Sequence, residues 1–84
     1  MLEMLSKARK VIGVKQTKKA VENGEAAHVF LAEDAEKRLT EPVRALCAAS
    51  GVPLTEVASM RELGQACGIE VGAAVAAILH EITA

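Results

Sequence analysis

HVFLA, residues 28 to 32 of this 84-residue chain, is a short run of β-favouring residues bounded by charged ones. Its apolar residues follow one another without alternation, as is typical of a strand that is covered on both faces. The run therefore predicts a central strand in a sheet with helices on both sides.

Helix and strand signals alternate on the amino-terminal side of this strand. One helical stripe is formed by Leu2, Leu5 and Ala8, and Lys10 to Gly13 follows as a short predicted strand. The next predicted helix begins at Lys15 or Gln16 and runs to Asn23, with Gly24 as its C-terminal cap.

The alternation continues on the carboxyl-terminal side. Thr40 is predicted to cap a helix that has Pro42 in its first turn and ends at Gly51. A strand predicted at Leu54 to Ala58 precedes a helix that starts with the capping box Ser59-Met60-Arg61-Glu62 and stops at Gly68.

The last segment, Ala73 to Leu79, fits either a helix or a strand by its periodicity. A closing strand completes the alternating order of elements. We therefore predict an α/β fold for residues 1–84: a single domain built as a three-layer α/β/α sandwich around a four-stranded mixed sheet.

Cysteine and histidine positions give no sign of a metal site or another cofactor. Cys47 and Cys67 are twenty residues apart and form no ligand pattern with His28 and His80. We expect two buried structural thiols in a reducing cytosol, with one disulfide bridge as the alternative.

The sequence also predicts a cytoplasmic protein with no membrane partner. The longest apolar run, Val71 to Leu79, is far shorter than the ~20 residues that a membrane span needs, and the N-terminus lacks the apolar run of a signal peptide. We expect the protein to be a monomer.

Charge is distributed unevenly along the chain, although the formal net charge is only −1. Residues 1 to 20 contain six basic side chains and one acidic side chain, whereas the remaining 64 residues contain four basic and ten acidic ones. This asymmetry allows a polyanion as the partner. The alternative is a solvated helix face that keeps a small protein soluble.

The basic charge is concentrated in GVKQTKKAV, residues 13 to 21. A strand that ends at Gly13 and leads into a helix leaves the backbone N–H groups around Val14 unpaired, and such groups attract phosphate. We expect Lys15, Lys18 and Lys19 all to lie in the first helical turn, where the helix dipole disfavours them and an external anion would offset the cost.

Two polar residues lie among these lysines. The amide of Gln16 both donates and accepts hydrogen bonds and can therefore read a base edge, while Thr17 can cap the turn or contact a sugar or phosphate. The alternative for both residues is ordinary chemistry at a helix start.

The nucleic acid that fits this pattern is a structured RNA. Phe30 is the only aromatic residue and lies in the predicted core strand, which excludes modules that stack bases on aromatic platforms. DNA is not expected as a partner, because the basic helix follows a strand and has no adjacent second helix, unlike a helix-turn-helix.

Two further segments could contact an RNA base. In GIEVGAAV, residues 68 to 75, Ile69 and Val71 flank Glu70 and could form a pad for an extruded base, or could instead pack into the core. Glu33 and Asp34, after the HVFLA strand, are either acceptors for a base amino group or polar loop residues.

Three motifs in this chain together resemble the kink-turn-binding ribosomal proteins of archaea and eukaryotes, the L-seven-Ae and L-thirty-e superfamily, and above all its small bacterial YbxF-like branch. They are GVKQTKKAV, FLAEDA at residues 30 to 35, and SMRELGQACGIEVGAAVAAI at residues 59 to 78. The resemblance extends from about residue 7 to residue 79.

The resemblance implies a three-layer α/β/α fold that binds kink-turns, which are RNA duplexes bent sharply at a bulge beside sheared G·A pairs. It assigns contacts with phosphates and the G·A pairs to Gly13, Lys15, Gln16 and Lys19. It places Glu33, Asp34 and residues 69–71 around the flipped-out bulge nucleotides.

Two positions depart from the archaeal pattern, which has Asn and Glu where this chain has Lys15 and Gln16. An amide thus replaces a carboxylate acceptor for guanine, so a charge-assisted hydrogen bond becomes a neutral one, while Lys15 adds a phosphate contact. We expect binding that is less selective and more sensitive to salt.

The leading interpretation is a non-catalytic RNA-binding protein that recognises and stabilises kink-turn RNA and is associated with the ribosome or with translation. The alternative is a protein-interaction module that uses the Ile69 to Val71 loop. An enzyme is not expected, because the sequence has no paired carboxylates, no nucleophile with a nearby base and no phosphate loop.

Overall fold

A computed structural model describes residues 8–80 of the chain, in three helices and four strands. The strands are β1 (Lys10–Ile12), β2 (Ala26–Ala32), β3 (Leu54–Val57) and β4 (Val75–Leu79), and the helices are α1 (Val14–Glu22), α2 (Lys37–Ser50) and α3 (Met60–Cys67). The helix predicted around Leu2 and Leu5 lies outside the described residues.

The four strands form one mixed sheet in the order β1-β4-β2-β3, which confirms the predicted sheet. Strand β4 is antiparallel to both β1 and β2, whereas β2 and β3 are parallel. The strands β1, β2 and β3 therefore all end at the edge of the sheet where β4 begins. We call this edge the loop edge.

The central strand β2 is covered on both faces, as HVFLA predicted. Val29 and Leu31 pack with α1 and α2 on one face, and Phe30 and Ala32 pack with α3 on the other. Phe30 is fully buried. The two clusters on opposite faces of one sheet make the three layers of an α/β/α sandwich.

Helix α2 begins earlier than predicted, at Lys37 instead of after Thr40. Its N-cap, Glu36, makes no side-chain capping bond, so the sequence carries no cap signal at the true start. Thr40 is buried inside the helix, and Pro42 lies in its sixth position. Packing of Val43 and Cys47 into the core holds this turn helical despite the missing N–H of Pro42.

Helix α3 begins and ends where the sequence indicated. The side chain of Ser59 accepts a hydrogen bond from the Glu62 amide at 3.1 Å, which confirms the serine half of the predicted capping box. Gly68 ends the helix in the left-handed conformation at φ 83°.

Both cysteines are free and buried, on opposite faces of the sheet, as expected for structural thiols. Burial raises the pKa of the Cys47 thiol, and it raises that of Cys67 against a smaller opposing effect of the Lys10 charge. Both side chains therefore stay protonated at neutral pH and are poor nucleophiles.

Thr17 occupies an unexpected position in helix α1. It is 0% exposed and shares the core-facing stripe of the helix with Ala20 and Val21. Its hydroxyl oxygen is buried and has no hydrogen-bond partner among the residues described. A buried hydroxyl without a partner destabilises a fold by about 1 to 3 kcal/mol.

We predict that Thr17→Val raises the free energy of unfolding by about 1 kcal/mol, because valine keeps the shape of threonine and removes the unpaired hydroxyl. Thr55→Val is the matched control, since the Thr55 hydroxyl lies 2.7 Å from the His28 ring nitrogen Nε2 and its loss should lower stability. Urea unfolding measures both variants. A loss of stability in Thr17→Val similar to that in Thr55→Val would contradict the assignment.

Candidate nucleic-acid interface

Three segments that the sequence singled out meet at the loop edge. The amide of Gly13, after β1, donates to the carbonyl oxygen of Val75 at 2.8 Å, and the amide of Ala32, at the end of β2, donates to that of Ala74 at 2.9 Å. The GVKQTKKAV helix start, the Glu33-Asp34 turn and the loop of residues 69–72 are thereby brought to one side of the molecule.

The start of helix α1 leaves backbone donors free. The first helical bond runs from the Thr17 amide to the Gly13 carbonyl at 3.0 Å, and Gly13 provides no side-chain cap. The amides of residues 14–16 consequently have no acceptor within the described part of the chain. Gly13 itself has φ 109°, a conformation that non-glycine residues avoid.

The three lysines of α1 lie at different heights along the helix. Because the helix begins at Val14, only Lys15 is in its first turn, and Lys19 is in its last turn, where the dipole favours a cation. The prediction that all three lie in the first turn was wrong for Lys18 and Lys19. Lys15, Gln16 and Lys19 are exposed, and Val14 and Lys18 are half-buried.

Thr17 does not belong to the exposed surface of α1. The sequence suggested a contact between its hydroxyl and a sugar or phosphate, but the side chain is fully buried beneath the helix. The signal was present in the sequence, because Thr17 precedes Ala20 and Val21 at the i, i+3, i+4 spacing of a core-facing stripe. We therefore omit Thr17 from the candidate interface.

Glu33 and Asp34 are both exposed, but Asp34 has a structural partner. Its carboxylate oxygen Oδ1 accepts a hydrogen bond from the amide of Met60, the first residue of α3, at 2.7 Å. This bond ties the turn after β2 to the start of α3. Of the two carboxylate oxygens of Asp34, Oδ1 therefore has a partner, and Oδ2 has none among the residues that the structure describes.

The two apolar side chains in the loop of residues 69–72 have different environments, one packed on the core and one exposed. Ile69 is half-buried and packs against the core cluster that contains Phe30 and Leu63. Val71, in contrast, is 70% exposed, and the neighbouring Glu70 is also exposed. The loop therefore presents one apolar side chain outward above an apolar base.

Helix α3 fixes the position of this loop. The Ile69 amide donates to the Gly64 carbonyl and the Ala73 amide donates to the Met60 carbonyl, each at 3.0 Å. Gly64 is buried directly under the loop, and a Cβ atom there would overlap the carbonyl oxygen of Val71. The absence of a side chain at Gly64 is thus what allows the loop to lie against the helix.

The described residues lack two other features. No group of three histidine, cysteine or acidic side chains suited to a metal ion occurs between residues 8 and 80. Over the same range, no helix is both long enough and apolar enough to cross a membrane. The loop edge instead provides backbone donors, cations, carboxylate acceptors and an exposed apolar residue.

We predict that Gly64→Ala lowers the free energy of unfolding by about 1 to 3 kcal/mol, because its methyl group displaces the loop backbone. The direction of the change in stability tests this packing, because a glycine-to-alanine change in an unobstructed helix raises the free energy of unfolding. Gly72→Ala is the graded comparison: its Cβ would lie 3.2 Å from Cβ of Met60, a tight contact but not the overlap found at Gly64, so a smaller loss is expected. Equal stability of wild type and Gly64→Ala in thermal unfolding would contradict this packing.

Comparison with known proteins agrees with this architecture. The family described as ribosomal protein L7Ae/L30e/S12e/Gadd45 matches residues 1–83. The chain is 48% identical over 78 residues to an RNA-binding protein of Geobacillus thermodenitrificans and to the RNA-binding protein YbxF of Geobacillus stearothermophilus, covering 93% of this chain and 95% of each relative.

Solved structures give the same result. The 15.5kD RNA binding protein of Giardia lamblia superposes with a TM-score of 0.87 at 28% identity, covering 95% of this chain and 71% of that one. A Bacillus halodurans C protein of unknown function superposes with a TM-score of 0.85 at 26% identity, covering 94% and 83% of the two chains. The chain therefore belongs to the ribosomal protein L7Ae/L30e/S12e/Gadd45 family, as its motifs implied.

Proposed function

We propose that this protein is a non-catalytic RNA-binding protein that recognises and stabilises kink-turn RNA. The observation that carries the proposal is the meeting of free helix amides, lysines and an exposed apolar loop at one edge of the sheet. The relatives named as RNA-binding proteins, in Geobacillus and in Giardia, support it.

The start of α1 is suited to the bent backbone and the G·A pairs. Unpaired amides at a helix N-terminus bind phosphate oxygens, and Lys15 and Lys19 add exposed positive charge beside them. Gln16, which lies between the two lysines in sequence, is exposed and can both donate to and accept from base edges. Together with Gly13 and Val14, these residues form the proposed groove contact.

The loops on the other side of the edge are suited to the flipped-out bulge nucleotides. Val71 offers an exposed apolar surface for a base, supported by the half-buried Ile69. Carboxylates repel phosphates but accept hydrogen bonds from base amino groups. Glu33, Glu70 and the unpartnered oxygen of Asp34 therefore act as base acceptors in this proposal.

Selectivity depends on the two positions that differ from the archaeal pattern. Gln16 makes a neutral hydrogen bond where a carboxylate would make a charge-assisted one, and Lys15 adds a contact with the backbone. We expect the complex to be less selective and more salt-sensitive than one formed with a carboxylate. In this proposal, the protein is a monomer that acts with the ribosome or the translation apparatus in the cytoplasm.

The exposure of Val71 also fits a second function, docking of the 69–71 loop on a partner protein. In that case the α1 lysines would only increase solubility. Pull-down from ribonuclease-treated lysate separates the two functions: a protein partner is retained after the treatment, whereas partners bridged by RNA are lost.

We predict that Gln16→Ala weakens binding to an intact kink-turn by about 1 to 2 kcal/mol more than binding to the same RNA without its G·A pairs. The reason is that Gln16 reads base edges that only the G·A pairs present. Fluorescence titration of labelled RNA at fixed salt measures the difference.

Asn23→Ala is the matched control for this titration. It removes an exposed carboxamide at the opposite end of the same helix. We expect this variant to bind each of the two RNAs as tightly as the wild-type protein does. Wild-type protein that binds the two RNAs equally tightly would rule out kink-turn recognition.

A further inference from the structure

The outward face of helix α1 has a shallow basic depression that extends beyond the loop edge. Its volume is about 500 Å³. Its lining residues are Val14, Lys15, Lys18, Lys19 and Glu22. The opposite face of the helix is buried, so this depression is the side that α1 turns to solvent.

Glu22 lines the depression, but no acidic side chain of the described residues forms a salt bridge with the lysines there. Glu22 is placed four residues after Lys18 and three after Lys19, at spacings that commonly form ion pairs. Even so, the salt bridges among the described residues all involve Arg38 or Arg44, and none involves a lysine of α1. The three ammonium groups are therefore left available to an external anion.

Charge is also separated between the helix and the neighbouring loops. The turn after β2 and the loop of residues 69–72 contain Glu33, Asp34 and Glu70 and no basic side chain. An RNA backbone that leaves the loop edge is repelled by these carboxylates and attracted by the lysines. Electrostatics therefore favours a path of the RNA backbone along α1.

We propose that the RNA contact surface continues from the loop edge onto the outward face of α1 through Lys18, where it follows the phosphates of an RNA stem flanking the bent element. The inference rests on the proposed function. It adds Lys18 to the contact residues and identifies the backbone of the flanking duplex as the partner of this residue. Lys18 is half-buried beside Val14, so its aliphatic stem is partly shielded while its charge can reach solvent.

The dimensions of the helix suit this partner. Lys15 and the pair Lys18 and Lys19 are separated by about one helical turn, roughly 5 Å along the axis. Each strand of a duplex presents a phosphate every few ångströms along the helix axis, about 3.4 Å in B-form DNA, so the lysines can reach two or three neighbouring phosphates. Such contacts carry no sequence information.

The test is a salt titration of wild type and Lys18→Gln with kink-turn RNAs whose flanking stems are either long or cut short. With a long stem, we expect Lys18→Gln to reduce the slope of log K against log salt by about one. Its loss of affinity relative to wild type is then about fourfold larger at 50 mM than at 200 mM salt. With the corresponding stem cut short, we expect wild type and variant to bind alike.

Arg44→Gln is the charge-matched control, because Arg44 pairs with Glu56 of β3 at the opposite side of the sheet from β1. It should leave the salt slope unchanged, and thermal unfolding verifies that both variants fold. The inference is overturned if Lys18→Gln keeps the wild-type slope, or if its effect is the same for both stem lengths.

Failure of this inference is distinguishable from failure of the proposed function. If only the inference fails, Lys18→Gln behaves as wild type while the wild-type protein still prefers RNA that contains the G·A pairs. If kink-turn recognition fails, that preference is absent for wild type, whatever the slope of the Lys18 variant.

Discussion

Two adjacent carbonyl groups at the start of β4 determine how the candidate interface is assembled. Val75 accepts from Gly13 on one side of the strand, and Ala74 accepts from Ala32 on the other. Because β4 is antiparallel to both neighbours, it places its own incoming loop between a helix start and a turn that are distant in sequence. Without this arrangement, the lysines and the apolar loop would not share a surface.

The architecture could be predicted from the sequence because its signals are local. The uninterrupted apolar run of HVFLA indicated a central strand, and Ser59 with Gly68 marked both ends of α3. The closing strand β4 was ambiguous by periodicity and was predicted from the order of layers. The sequence predicted the start of α2 too late. Glu36 gives no cap signal at the true start, whereas Thr40 and Pro42, inside the helix, have the pattern of a helix start.

The details of the site depend on contacts that no local pattern reveals. Asp34 caps an amide 26 residues away, and Gly64 accommodates a loop that follows it. Ile69 and Val71 look equivalent in the sequence, yet one packs on the core and the other faces solvent. These assignments require the tertiary structure, whereas the inward position of Thr17 could have been read from its helical spacing.

The central claim is that the loop edge as a whole binds RNA. Amide chemical shifts of isotopically labelled protein, recorded as unlabelled kink-turn RNA is added, test it most directly. We predict the largest changes at residues 14–16 and 69–72, with little change at residues 51 and 52, at the opposite edge of the sheet. Changes concentrated at residues 51 and 52, with the amides of residues 14–16 unaffected, would contradict this claim.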